Sequence, residues 1–211
     1  MVDRSSNASK PKPGLGQSPS QTVGPYFAYS LSPAQYGYPY SSVVTPDLAK
    51  EGAEGERIRL LGRVLDGAGK PIDDAMIEIW QANAHGRYNH PADRRADNRL
   101  DPDFTGFGRS GTGADAQSRF VFDTVKPGAI GDGQAPHLNM IVMMRGLLSH
   151  VFTRVYFDDQ VDANAEDPVL ALVPESRRST LIARRAETSS GIVYHIDIHM
   201  QGPNETVFFD V

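Results

Sequence analysis

The sequence predicts an all-β protein: a single β-sandwich domain with long loops, one short helix and an extended N-terminal arm. Three observations carry that prediction. Apolar or alternating runs of strand length recur along the chain, Gly and Pro punctuate the gaps between them, and only one segment has a helical pattern. With 20 glycines and 15 prolines in 211 residues, turns are frequent and the elements between them short. A chain of this length buries roughly 70% of the surface its unfolded form exposes, so one core suffices without crosslinks.

In chain order, residues 1–20 are rich in Ser, Pro, Gly and Lys with little to bury, and read as a mobile tail or an arm ordered only by a partner. Residues 21–56 read as an arm laid against a partner: Tyr26, Tyr29, Tyr36, Tyr38 and Tyr40 crowd among prolines that argue against a helix, and exposed aromatics of that density need a cover. The sandwich is assigned to 57–211. Its strands are RIRLLGRVL from Arg57, ended by DGAGKP, then AMIEIWQ over 75–81 and SRFVFDTV over 118–125, ended by KPG. HLNMIVMMRG from His137 and SHVFTRVYFDD from Ser149 are too close for a crossover helix and are expected to pair as a hairpin. GIVYHIDIHM and ETVFFDV complete the set. The helical segment is PESRRSTLIARRA, 174–186, with Pro174 at its start and Leu181 and Ile182 facing inward. Residues 83–113 are too long for a structural turn and read as a binding loop.

Composition excludes several classes of function. There is no cysteine, hence no disulfide, thiolate metal site or thiol nucleophile, so any metal must use His, Tyr or carboxylate ligands. A net charge of -5, from 21 Lys+Arg and 26 Asp+Glu, argues against a nucleic-acid surface. No window approaches the roughly 20 apolar residues of a membrane span, and the first residues lack the apolar stretch of a signal peptide, so a cytoplasmic location is expected. No Ser sits in a nucleophile-elbow context, and GFGRSGTG lacks the lysine and the strand-to-helix frame of a phosphate loop.

Three groups of residues could carry chemistry. Tyr88, flanked by His85 and His90, could join His137 in ligating a hard metal ion, or be an ordinary loop residue. His195, Asp197 and His199 would share one face of a regular strand at about 6.6 Å intervals, which suits either a divalent ion or the solvated side of a sandwich strand. Arg145, after the apolar run MIVMM, could bind a carboxylate bidentately or cap a strand end in solvent.

Read together, EIWQANAHGRYNHPAD, DPDFTGFGRSGTGADAQSRFVFDTVKPG, APHLNM and TRVYFDD resemble the intradiol ring-cleaving dioxygenases in order and spacing, over about residues 20–211. The resemblance implies a β-sandwich and a ferric ion, Fe(3+), held by two tyrosines and two histidines, a ligand set whose anionic phenolates suit a hard trivalent ion. Carried over residue by residue, Tyr88 matches the first tyrosine and His137 the first histidine. Asn139 stands at the second histidine, Ile130 at the second tyrosine, and Gln134 at the family's active-site arginine.

With two of four ligands missing, the resemblance implies an iron-free alpha chain whose homologous beta chain carries the iron, the two assembling as hetero-oligomeric pairs. Such a chain contributes substrate binding to its partner's site: Arg145 beside the substrate, and the corner Thr22, Gly24, Pro25 and Tyr26 lining the same cavity. The implied reaction is O2-dependent cleavage of a carboxylated catechol, 3,4-dihydroxybenzoate, between its hydroxylated carbons to 3-carboxy-cis,cis-muconate. Strand parity is consistent with this division, because Arg145 lies about 26 Å of extended chain from His137 and cannot serve its own chain's pocket. Two rivals stand beside this reading. One is a self-sufficient metalloenzyme using His195, Asp197 and His199; the other is a metal-free binding or scaffold module with no part in catalysis.

Overall fold

Alternation decides where the strands lie. The computed structural model describes residues 19–24, 26–95 and 97–210, so most of the N-terminal tail falls outside the described residues. In β1 (Arg57–Leu65), Ile58, Leu60, Gly62 and Val64 are buried, while Arg57, Arg59 and Arg63 face solvent. β2 (Met76–Gln81) is more enclosed, with Ile77, Ile79 and Gln81 fully buried on one face and Glu78 and Trp80 half-buried on the other. β4 (Arg119–Val125) sends Phe120, Phe122 and Thr124 inward. β5 (His137–Met143) and β6 (Val151–Phe157) form the expected antiparallel hairpin, with Asn139 opposite Arg154 and His137 opposite Tyr156.

Three further strands complete the sheet: β3 (Phe107–Gly111), β7 (Ile182–Thr188) and β8 (Gly191–His195), with a short β9 (Ile198–His199). The order is β3-β2-β5-β6-β7-β8-β1-β4, and β9 pairs with β1. The two ends of this path meet where the Val121 N–H donates to Ser110 Oγ at 3.1 Å, which turns the sheet into a nearly closed sandwich. Its core holds Leu60, Ile79, Phe120, Phe122, Leu138, Met140, Phe157 and Tyr194, all with no solvent exposure. Burying a side chain of this size contributes about 1.5–3 kcal/mol, so the core outweighs any single surface contact.

The structure corrects five expectations. The helix over 174–186 is one turn, α4 (Glu175–Arg178), and a 3-10 turn over Ser179–Leu181; from Ile182 the chain is strand. β7 fills the gap between β6 and β8, pairing parallel with one and antiparallel with the other, and that tertiary pairing overrides a local helical pattern. The 83–113 loop is interrupted by β3. The tyrosine segment is helical after all, as α1 (Phe27–Leu31) and a 3-10 turn (Pro33–Tyr36). The final run contributes only an isolated bridge, Phe209 to Phe152. Two short helices, α2 (Val161–Glu166) and α3 (Pro168–Leu172), meet at Asp167, whose side chain caps α3 by accepting from the N–H groups of Val169 and Leu170. Among the described residues no helix is long and apolar enough to cross a membrane.

The run GIVYHIDIHM is likewise two strands rather than one. After His195 the chain lifts over Gly62, where a Cβ would stand 1.6 Å from the Ile196 carbonyl oxygen, and only glycine allows the approach. Asp197 then turns onto β1, accepting from the Arg63 N–H at 2.9 Å and from its guanidinium at 2.6 Å.

Candidate functional site

Cross-strand register builds the pocket that the motif residues share. Trp80 on β2, Asn139 on β5 and Arg154 on β6 stand opposite one another in a row, with His137 and Tyr156 one step further along. Tyr88 enters from the turn after β2. Asn83, buried, closes that turn by accepting from the N–H groups of His85 (2.9 Å) and Arg87 (3.0 Å). Gly86, at φ +76, passes so near Ala129 that a Cβ would lie 2.0 Å from its carbonyl oxygen. This packing lays the Tyr88 ring on Trp80, with centroids 5.6 Å apart and planes 15° from parallel.

Apart from one ring nitrogen of His137, the polar groups of the pocket are spent on one another. Asn139 Nδ2 donates to the Tyr88 hydroxyl at 3.0 Å and also faces the Trp80 carbonyl at 3.3 Å. Arg154 donates to Gln134 Oε1 at 3.0 Å and reaches the Tyr156 hydroxyl at 3.4 Å, which in turn donates to Asp167 at 3.1 Å. Arg95 lies 5.8 Å from the Tyr88 ring centroid, pairs with Asp93 and donates to the Ile130 carbonyl. His137 stands 2.8 Å from the Ala135 carbonyl through Nδ1; because a carbonyl only accepts, Nδ1 carries the proton and Nε2, buried and without a partner among the described residues, is the bare nitrogen.

Electrostatics follow from this packing. Burial, reinforced by the Arg154 charge, brings the His137 pKa down to about 4, so the ring is neutral at pH 7. Burial raises the Tyr88 pKa above that of a free phenol, opposed by the Asn139 hydrogen bond and the Arg154 and Arg95 charges. Burial likewise holds the Tyr156 hydroxyl up at about 12. These residues do not fit a ferric ion: Ile130 has no donor atom, the Asn139 amide nitrogen is turned to the phenol, and two guanidinium groups supply positive charge where a cation would have to sit.

The strand trio does not assemble a metal site either. His195, Asp197 and His199 do keep a common solvent-side face, but Asp197, the only carboxylate of the three, is committed to Arg63. Among the described residues no group of three or more His, Asp or Glu is placed to hold a metal ion. The trio instead lines a cleft of about 770 Å³ shared with Arg63, Arg119 and Arg184. A second cleft, about 560 Å³, opens over Trp80, Tyr88, His90 and Arg95. His85 pairs with Glu54, at 2.9 Å, and takes no part in it.

Arg145 lies at the other end of β5, two residues beyond its last strand position. Here the structure joins Thr22, an expected site residue, to the neighbour of another: the Gly146 N–H donates to Thr22 Oγ1 at 2.7 Å. Gly24 and the largely exposed Tyr26 continue this corner, and Gly24 accepts from the Phe27 N–H at 3.3 Å. Pro25 lies outside the described residues. Arg145 pairs through Nε with Asp74 and remains more than half exposed. Sequence reasoning missed Asp74, Arg95 and Arg154. Register in the hairpin could have found Arg154, since it faces Asn139, whereas nothing local points to the other two.

Known proteins match most of the chain. The family model described as Dioxygenase matches residues 23–202. The protocatechuate 3,4-dioxygenase alpha chain of Burkholderia cepacia is 57% identical, over 93% of this chain and 98% of that one. The beta chain of the same name from that organism is 37% identical, over 80% of this chain and 74% of its own length. A solved intradiol ring-cleavage dioxygenase from Tetranychus urticae, 18% identical, shares the fold with a TM-score of 0.58 over 88% of this chain and 94% of its own. A sandwich of this topology, the Trp80–Tyr88 turn beside His137 and a match spanning nearly every described strand all lead to one conclusion: the chain belongs to the intradiol ring-cleaving dioxygenase family.

Proposed function

We propose that this chain is the iron-free alpha subunit of protocatechuate 3,4-dioxygenase, completing a site whose iron is held by a homologous beta chain. The reaction is O2-dependent: both oxygen atoms enter 3,4-dihydroxybenzoate, and the bond between its two hydroxylated carbons breaks to give 3-carboxy-cis,cis-muconate. The iron supplies the redox centre on the partner, and this chain supplies recognition. The 57% identity to an alpha chain supports the assignment, as does a pocket in which Ile130 and Asn139 replace donors.

The observation that carries the binding role is the contact between Gly146 and Thr22. It brings Arg145 and the Thr22 corner to one exposed place, outside this chain's own pocket, as a surface that finishes another chain's site requires. Arg145, with Thr22, Gly24, Pro25 and Tyr26, binds the substrate; the guanidinium meets its carboxylate, a charge-assisted contact of about 1.5–3 kcal/mol. The arm supports the hetero-oligomer, because Tyr26, Tyr40 and Val43 are 73, 69 and 97% exposed and need a covering partner. We assign the arm, residues 21–56, to that interface through its exposed side chains, with Leu48 and Ala49 anchoring it in this chain's own core.

Reconstitution tests the proposal. Turnover of 3,4-dihydroxybenzoate is expected only when the chain and its beta partner are combined. Equal turnover by the beta chain alone would leave this chain as a scaffold module and overturn its part in catalysis.

A further inference from the structure

Resting on the reading of Arg145 just given, we infer that Asp74 is a positioning residue, which orients the Arg145 guanidinium so that its two Nη nitrogens face the substrate carboxylate. Asp74 precedes β2, 71 residues from its partner in sequence, and is 8% exposed. Its backbone is held on both sides by one buried side chain. Thr112 Oγ1 donates to the Ile72 carbonyl at 2.7 Å and lies 3.1 Å from the Ala75 N–H, while the Thr112 N–H donates to the Ala75 carbonyl at 3.0 Å. The carboxylate therefore projects from a fixed point.

Arg145 is correspondingly held twice. The next peptide is tied to Thr22, and Nε is tied to Asp74. Neither Nη nitrogen has a hydrogen-bond partner among the described residues, and the side chain is 54% exposed. A guanidinium presents a planar fork of donors, and occupying the Nε position leaves the Nη1–Nη2 end open for a second carboxylate in bidentate geometry. With Asp74 buried and Arg145 half exposed, the fixed partner sets the direction in which the free end of the guanidinium points. The long, rotamer-rich side chain would otherwise lose its freedom only on binding substrate.

The test uses the reconstituted alpha-beta complex carrying Asp74→Asn, a near-isosteric change, with Arg145→Ala and the double variant alongside. For 3,4-dihydroxybenzoate, Asp74→Asn is expected to raise KM about fivefold with kcat within about twofold. It leaves KM for catechol, which has no carboxylate, unchanged, and adds nothing in the Arg145→Ala background. A KM for 3,4-dihydroxybenzoate that stays constant or falls in Asp74→Asn, while Arg145→Ala raises it, overturns the positioning role and leaves the role of Arg145 intact. A KM unaffected by Arg145→Ala is a different failure, that of the underlying reading. Should Asp74→Asn fail to assemble, Asp74→Glu poses the same question: the added methylene displaces the guanidinium and raises that KM about threefold, and a wild-type KM refutes the inference.

Discussion

The pocket around Tyr88 and His137 and the corner at Arg145 lie at opposite ends of β5, and they treat charge in opposite ways. In the pocket every strong donor is spent internally: Arg154 on Gln134 and Tyr156, Asn139 on Tyr88, Arg95 on Asp93 and Ile130. At the corner a guanidinium is anchored at one nitrogen and left half exposed. Groups satisfied within the chain stabilise it, whereas a charge held in place and left open is available to another molecule. The donors of the pocket thus serve this chain's own packing, whereas the corner keeps a charge open to solvent, as the proposed substrate contact requires.

Substitutions at the two places should separate stability from binding. The largest expected effect is at Asp167, fully buried beneath the pocket, which accepts from the Ala135 N–H, the Tyr156 hydroxyl and two α3 N–H groups. Asp167→Ala strands these donors and is expected to cost about 3 kcal/mol or more, read as a lowered denaturation midpoint of the assembled complex. Next comes the pH dependence set by His137. Its folded pKa of about 4 lies below the usual 6.5, so the unfolded chain binds more protons between those values. The His137 contribution is complete above about pH 6.5 and is lost as pH falls toward 4, amounting to about 3 kcal/mol on that shift. Urea titrations from pH 7 to 4 measure it, and His137→Gln should flatten the slope.

Smaller effects distinguish the regions further. Arg145→Ala is expected to raise KM for 3,4-dihydroxybenzoate about tenfold. Tyr88→Phe should instead cost about 1 kcal/mol through the lost Asn139 contact and leave kcat and KM alone. A loss of turnover in Tyr88→Phe would contradict the assignment of this pocket to structure.

Much of the sandwich was legible because period-two alternation is local. Ile58–Leu60–Val64 and Phe120–Phe122 announce their faces without help, and the short link between β5 and β6 permits only a hairpin. β7 was not legible, since STLIARRA suits a helix in isolation and becomes a strand only because β6 and β8 leave an opening for it. Of the two regions, the pocket was half visible: Tyr88, Ile130, His137 and Asn139 are named by the family resemblance, but Arg95 and Arg154 arrive from a loop and a neighbouring strand. The corner's geometry was invisible in the sequence alone. Thr22 and Gly146 lie 124 residues apart and Asp74 and Arg145 lie 71 apart, and no local pattern encodes either meeting.

Iron content together with visible absorbance, measured on this chain purified alone and co-purified with its beta partner, tests the central claim most directly. A ferric phenolate is coloured, so a colourless, iron-free chain alone and a coloured complex with one iron per alpha-beta pair is the predicted result. Stoichiometric iron in the chain alone would contradict the account, because it would require Tyr88 and His137 to hold a ferric ion against Arg95 and Arg154.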